Sequence, residues 1–173
     1  MAKEARLNLD LSIYGNNYQR KYASEPFTVC TGNSEVKAYM PYTAITDQTS
    51  NQYQFIKAYM TTDTVTGLLV DEYGFIGAAL GYNFGEIGSR YYFVLDTGII
   101  LPLVKIDEKA AKDAPDGCTH RTDGSTIEFV IDEGYARTYF GTGDFGYILG
   151  GSFNNYDCFK GSITSIESVI INN

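Results

Sequence analysis

Tryptophan and long apolar runs are both missing from this chain of 173 residues. No apolar segment approaches the roughly 20 residues that a membrane-spanning helix needs. The N-terminal stretch MAKEARLNLDLSIYG has neither an apolar core nor a small-residue cleavage site, so no signal peptide is predicted. We therefore expect a protein that is made in the cytoplasm and has no membrane partner.

Positive charge is scarce as well. Lysine and arginine together number 13 against 21 aspartates and glutamates, which gives a formal net charge of −8. Proteins that bind nucleic acid gain much of their affinity from basic side chains on the phosphates, and anionic lipid surfaces attract basic segments in the same way. The charge balance argues against a nucleic-acid partner and against an anionic membrane surface.

The sequence has only three cysteines and one histidine. Cys30, Cys118 and Cys158 are odd in number and widely spaced, which predicts three free thiols. His120 lies in a polar loop near Cys118 and Asp116, but structural zinc sites use four ligands. No glycine-rich phosphate loop joins a strand to a helix. No metal or other cofactor is therefore predicted.

What the chain does have is 15 tyrosines, 10 phenylalanines and 18 glycines. Aromatic residues favour strands and glycines favour tight turns, and the length suits one domain. Residues 107–114, DEKAAKDA, form the best short helix, ended by Pro115, whereas the polar stretch 43–54 reads as a loop. The predicted strands include residues 5–15 with Leu7, Leu9, Leu11 and Ile13 on one face, the apolar parts of 66–80 around a turn at 71–74, and residues 126–132 and 162–171.

The clearest hairpin spans residues 89–106, with Asp96-Thr97-Gly98 between two apolar strands. The same three residues present the catalytic carboxylate in aspartic proteases, where two such loops must meet. This chain has one, so a protease would have to be a homodimer, with YILGG at 147–151 as the supporting motif. The alternative is a plain turn, in which Asp bonds its own backbone and Gly takes positive φ.

A larger frame surrounds this hairpin. A small-residue segment, a Gly-Ser before a strand, a turn, an aspartate after the second strand and a later Ile-Asp follow one another. The frame resembles the double-psi β-barrel of the rare lipoprotein A-like and 3D-domain families, which act on peptidoglycan. Small bacteriophage-encoded proteins show a similar pattern. The matching residues are Ala78-Ala79, Gly88-Ser89, Asp96-Thr97-Gly98, Asp107 and Ile131-Asp132.

The resemblance implies a mostly-β fold, namely a six-stranded double-psi barrel over residues 60–173 with a β extension over 1–59. It also implies a lytic transglycosylase in which Asp107 and Asp132 line one cleft. Asp107 would act as the acid/base, and the sugar's own 6-hydroxyl would attack without water. The residues expected to contact the glycan are Tyr82, Tyr91, Lys105 and His120.

Other interpretations stay open. Asp107 is also a favoured N-cap for the helix predicted after it, and Asp132 is also an ordinary turn residue. Because a fold does not establish an activity, the chain is equally well interpreted as a non-catalytic glycan-binding or structural protein of a virus particle. Its predicted partners are peptidoglycan or another glycan, and other virion proteins.

Overall fold

The computed structural model describes residues 1–7 and 9–172 of the chain. As the sequence predicts, the fold is mostly β: the described residues form one mixed sheet, which does not close on itself, and two α-helices. The strands are β1 (Lys3–Ala5), β2 (Ala23–Phe27), β3 (Lys37–Pro41), β4 (Thr61–Asp63), β5 (Leu69–Val70), β6 (Ile76–Leu80), β7 (Arg90–Leu95), β8 (Ile100–Glu108), β9 (Ile127–Ile131) and β10 (Ile163–Ile170). The helices are α1 (Asn51–Tyr59) and α2 (Glu133–Phe140).

Strand β6 is the centre of the sheet. The main path runs β1-β4-β5-β6-β8-β7-β10-β2, and β9 also pairs with β6 and carries β3 on its other side. Strands β6 and β8 are parallel, whereas β9 is antiparallel to β6. Every residue of β6 is buried. Side chains of the two flanking strands, β8 and β9, therefore lie on either side of a buried apolar strand.

Glycine is required at two positions, one in β6 and one just after it, because neighbouring atoms leave no room for a side chain. A Cβ atom added at Gly77 would lie 2.4 Å from Cδ1 of Ile106, and one added at Gly81 would lie 2.1 Å from the carbonyl oxygen of Gly117. Strand β8 and the loop after it therefore press directly on the β6 backbone. The small segment at 77–81 is required by packing, whatever else it does.

The predicted hairpin over 89–106 is confirmed. Strands β7 and β8 are antiparallel, and the turn closes with the Leu95 amide on the Ile99 carbonyl at 2.8 Å. Gly98 has φ +87°, a value that glycine adopts without strain. The exposed Asp96 accepts the Ser162 amide at 3.0 Å, which supports the turn interpretation of Asp96-Thr97-Gly98.

The N-terminal region differs from expectation. The strand predicted over residues 5–15 is wrong, because β1 ends at Ala5 and residues 11–13 form a short 3-10 turn capped by Asp10; Asn8, within that prediction, lies outside the described residues. Strands β2 and β3 join the same sheet as the later strands, on β10 and β9. Residues 1–59 and 60–172 thus build one sheet together, and Asn173 is again outside the described residues.

Both helices lie where none was predicted. Helix α1 begins after Ser50, whose hydroxyl accepts the Tyr53 amide at 3.2 Å, and it occupies part of the stretch predicted to be loop. The helix predicted over 107–114 is wrong, because β8 continues to Glu108 and the chain then turns. Its alanines and lysines favour a helix locally, but strand pairing with β6 takes the first two residues.

The prediction of three free thiols is also wrong. Cys30 and Cys118 form a disulfide with their Cα atoms 5.5 Å apart, and only Cys158 is a free thiol among the described residues. The two partners are separated by 88 positions in the sequence, so the fold, not their spacing, brings them together. The bridge ties the segment after β2 to the loop between β8 and β9.

No helix within residues 1–7 and 9–172 combines the length and apolar content needed to cross a bilayer.

Candidate functional site

Asp107 lies near the end of β8, beside the start of α1. Its side chain is half-buried, and Gln52 of α1 donates to its Oδ1 at 3.2 Å. Burial raises the pKa of Asp107 and the charge of Glu108 adds to the rise, while hydrogen bonds from Glu108 and Gln52 and the charge of Lys105 oppose it. The carboxyl group therefore keeps its proton to higher pH than an ordinary aspartate.

Glu128 stands two strands away on the same face of the sheet. Ala79 of β6 pairs with Asp107 on one side and with Glu128 of β9 on the other, and paired residues of neighbouring strands point to the same face. Burial raises the pKa of Glu128, and the charges of Asp107 and Asp123 raise it further against the opposing charges of Lys109 and His120. The small Ala79 thus lies between two carboxyl-bearing residues on the same face of the sheet, whose strands are about 10 Å apart.

Lys109 supplies the positive charge between them. Its side chain is 2% exposed, and its Nζ lies 3.8 Å from Oε1 of Glu128. That Nζ has no hydrogen-bond partner among the described residues. Burial lowers the pKa of Lys109, although Glu128, Asp123 and Asp107 all oppose the shift. An amine that is buried without an acceptor is costly, which makes this an unusual place for a purely structural lysine.

His120 and Asp123 complete this group of charged side chains. The backbone amide of Thr122 donates to Nδ1 of His120 at 3.1 Å, and Nδ1 lies 3.8 Å from Oδ1 of Asp123. Both residues come from the loop that the disulfide anchors. We name the set of Asp107, Lys109, His120, Asp123 and Glu128 the acid cluster.

An open groove of about 740 Å³ lies next to the acid cluster, between α1 and the loop before β7. Gln52 belongs to both, because it lines the groove and donates to Asp107. Gly88 has φ +99°, and a Cβ added there would lie 2.9 Å from the ring of Phe55, so glycine lets that ring pack on the backbone. The lining residues are Asn51, Gln52, Gln54, Phe55, Ala58, Tyr59, Gly85, Glu86, Ile87 and Glu108.

Asp132 is elsewhere. The pairs of β9 with β6 end at Phe129; further on, Ile131 bridges Leu68, and the Asp132 amide donates to the Gly67 carbonyl at 2.8 Å. Asp132 is four residues past Glu128, about 13 Å along β9. Its carboxylate accepts the Tyr135 amide at 3.2 Å as the N-cap of α2. The expected shared cleft of Asp107 and Asp132 is therefore not formed. Asp132 has the capping role that the sequence suggested for Asp107.

The other residues expected to contact the glycan divide in two. Lys105 is fully buried and donates to the Gly81 and Gly85 carbonyls and to Glu108, at 3.1, 2.7 and 2.8 Å. Tyr91 is buried and its hydroxyl donates to the Phe84 carbonyl, so neither side chain is free for a sugar. Tyr82 is 43% exposed with its hydroxyl on the Pro115 carbonyl at 2.7 Å, and His120 joins the acid cluster.

Sequence reasoning missed Glu128, Lys109 and Gln52. Glu128 carries a signal that was available, because it is the one charged residue within an otherwise apolar strand. Lys109 was hidden inside the helix pattern of residues 107–114. Gln52 offered no local signal, since α1 reaches Asp107 from 55 positions away.

Across the described residues, no group of three or more histidine, cysteine, aspartate or glutamate side chains is arranged to hold a metal ion. Comparison of the chain with protein-family models, with curated proteins and with solved structures found no significant match.

Proposed function

We propose that this protein acts on a glycan, with peptidoglycan as the first substrate to test, and cleaves it as a lytic transglycosylase does. One observation carries the proposal. Asp107, which the sequence pattern marks as an acid, is half-buried with a raised pKa, lies on the same face of the sheet as Glu128, and shares Gln52 with an open groove. General acid catalysis of glycosidic cleavage requires a protonated carboxyl group near an open groove that can admit the glycan.

The sheet gives support for a double-psi-like barrel. Six strands follow one another in the order β3-β9-β6-β8-β7-β10. The two ends of this series approach each other, because the Ile163 amide donates to the Ser34 carbonyl at 3.4 Å and Lys37 donates to the Gly161 carbonyl at 2.7 Å. We propose that these contacts are the seam of a barrel to which β1, β2, β4 and β5 are added.

The proposed reaction needs one acid/base group. Asp107 gives its proton to the glycosidic oxygen while the bond from that oxygen to the sugar's C1 breaks. The 6-hydroxyl of the same sugar then bonds to C1 and returns its proton to the Asp107 carboxylate, which leaves an anhydro sugar and regenerates the acid. Glu128, when ionised, stabilises the positive charge that develops on the sugar ring, and Lys109 favours that ionised form.

The test is incubation of the protein with purified peptidoglycan, followed by mass spectrometry for anhydro-muropeptides. Asp107→Asn should abolish their release, because the amide cannot donate an acidic proton. Asp132→Asn is the matched control: it removes the same charge, keeps the helix cap and should leave release unchanged. Equal release by the wild type and Asp107→Asn would contradict the assignment of the acid.

A non-catalytic glycan-binding protein is the second candidate. It is favoured by the groove itself, where the 60% exposed ring of Tyr59 and three amide side chains offer stacking and hydrogen bonds without any catalytic group. Binding to peptidoglycan without release of fragments would select this function.

The disulfide bears on where the protein works. Disulfides persist in oxidising surroundings and on virus particles, and they are rare in reducing cytoplasm. We propose that the chain is made in the cytoplasm and works outside it, carried on a virus particle. Thiol counting on protein isolated from its native setting should find one reactive thiol under denaturing, non-reducing conditions.

A further inference from the structure

The charge of the groove indicates which glycan it accepts. Of the ten residues that line it, the two that are charged at neutral pH are Glu86 and Glu108, and none is lysine, arginine or histidine. The whole chain adds a formal charge of −8. An anionic group on a sugar would therefore meet repulsion both at a distance and in contact.

The lysine behind Glu108 does not offset this charge. Lys105 lies behind Glu108 with a fully buried side chain, and its Nζ donates to two carbonyl oxygens and to the Glu108 carboxylate. All three ammonium hydrogens are used, so none can reach a ligand. Glu108 is still 47% exposed, is bonded to Lys105 through Oε1 and lines the groove.

The aromatic side chains fit the same ligand. Phe55 and Tyr59 stand one turn apart on α1 with their ring centroids 5.0 Å apart, and both line the groove with the two glutamates. The face of an aromatic ring attracts a cation and also packs on the apolar face of a sugar ring. Carboxylates and aromatic faces together recognise an ammonium group on a sugar better than they recognise an acetamide or a carboxylate.

We propose that the groove selects glycans with free amino groups, that is, strands in which some of the amino sugars lack their acetyl groups. This inference rests on the proposed function, because it names the substrate class of the same groove. The ammonium would lie between Glu86 and Glu108, and the amides of Asn51, Gln52 and Gln54 would bind hydroxyl groups. Peptidoglycan with de-N-acetylated sugars would then be preferred over the fully acetylated polymer.

The experiment compares two probes at pH 6 by isothermal titration: the β-1,4-linked tetramer of glucosamine and the same tetramer fully N-acetylated. We expect the glucosamine tetramer to bind roughly two- to fivefold more tightly at low salt, since one exposed ion pair contributes up to about a factor of five. The preference should shrink toward unity at high salt, where surface charges are screened.

Glu86→Gln should remove about half of the preference on a logarithmic scale, because one of two carboxylates is lost. Glu25→Gln is the matched control, since Glu25 is an exposed carboxylate on β2 outside the groove. A preference that is absent, reversed or equally reduced by both variants overturns the inference.

The failure of this inference can be told from the failure of the proposed function. If the acetylated tetramer binds as tightly and peptidoglycan is still cleaved in a manner that depends on Asp107, the groove has no amine preference and the glycan function stands. If neither tetramer binds at millimolar concentration and no peptidoglycan fragment appears, both are overturned.

Discussion

Two acidic side chains lie near the two ends of strand β6, one well supplied with hydrogen-bond donors and one not. Near its start, Asp71 is buried and accepts the Tyr73 and Phe75 amides at 2.9 Å each and Nε of Arg90 at 2.7 Å. Near its end, Asp107 has one side-chain donor, Gln52 at 3.2 Å, and a raised pKa. A carboxylate supplied with donors stabilises a turn, whereas one that lacks them is stabilised by holding a proton.

Among the 21 aspartates and glutamates of the chain, this contrast separates carboxylates that stabilise the fold from carboxyl groups that can hold a proton. Asp63 belongs with Asp71, because it accepts the amide and the hydroxyl of Thr66 at 3.1 and 2.7 Å. Glu128 belongs with Asp107 because its pKa is raised by burial. The replacement of Asp by Asn should therefore have opposite effects on stability at the two ends of one strand.

The largest effect is expected for Asp71→Asn. The change keeps an oxygen for the two backbone amides but places an NH₂ group against Arg90, so a buried ion pair is broken with its arginine left behind. We expect the free energy of unfolding to fall by about 3 kcal/mol, as measured by urea denaturation at pH 7. A loss below about 0.5 kcal/mol would mean that Asp71 is not held by Arg90.

Asp132→Ala should cost about 1 kcal/mol, the usual value of a lost helix N-cap. Asp132→Asn should restore most of that stability, because asparagine caps equally well. Both variants should cleave peptidoglycan like the wild type. A cleavage defect that asparagine does not rescue would return Asp132 to the catalytic site.

Asp107→Asn should leave stability unchanged at low pH and raise it as the pH increases. The folded-state pKa is raised above the ordinary 3.8, so between the unfolded and folded pKa values the folded protein binds more protons. Wild-type stability therefore falls as pH rises through that window, while the asparagine variant has no proton to lose. Unfolding curves from pH 3 to pH 7 would show the variant becoming more stable than the wild type as the pH rises. A difference of the opposite sign would contradict the burial argument.

The smallest effect on stability is expected for Lys109→Met. The variant replaces a buried amine that lacks an acceptor with an apolar side chain of similar length, so the change should lie within about 1 kcal/mol of zero. The pKa of Glu128 should rise further, because Lys109 is the first of the charges that lower it. Carbon-13 NMR of the glutamate carboxyl groups measures that shift, and an unchanged Glu128 would show that the two side chains do not interact.

The sequence pattern correctly predicted those strands and turns that are determined by residues close together in the chain. The hairpin over 89–106, the turn at 71–74 and the last strand depend on alternation and turn residues, and each is present. Residues 107–114 show the limit, since their helix propensity is overridden by pairing with β6, a strand 27 or more positions earlier. The disulfide and the contact of Gln52 with Asp107 are invisible for the same reason.

For the candidate site, the sequence identified Asp107 and His120 but paired Asp107 with the wrong end of β9. Asp132 follows that strand directly, yet Ile131 bridges Leu68 and the Asp132 amide donates to the Gly67 carbonyl, so Asp132 lies away from Asp107 along β9. Glu128, four residues earlier, is the neighbour. Strand direction decides which of the two acids faces the site, and the spacing between them carries no such information.

The Cys30–Cys118 bridge also makes the molecule resistant to being cut in two. It encloses α1, β3 to β8 and the exposed turn around Asp47 to Thr49 within one covalent ring. A protease that cleaves once inside this ring opens it but separates nothing, so both fragments migrate as one chain until a reductant is added. After a nick at that turn, β3 in the first fragment stays covalently joined to the second fragment, which holds its partner strand β9 and the whole acid cluster.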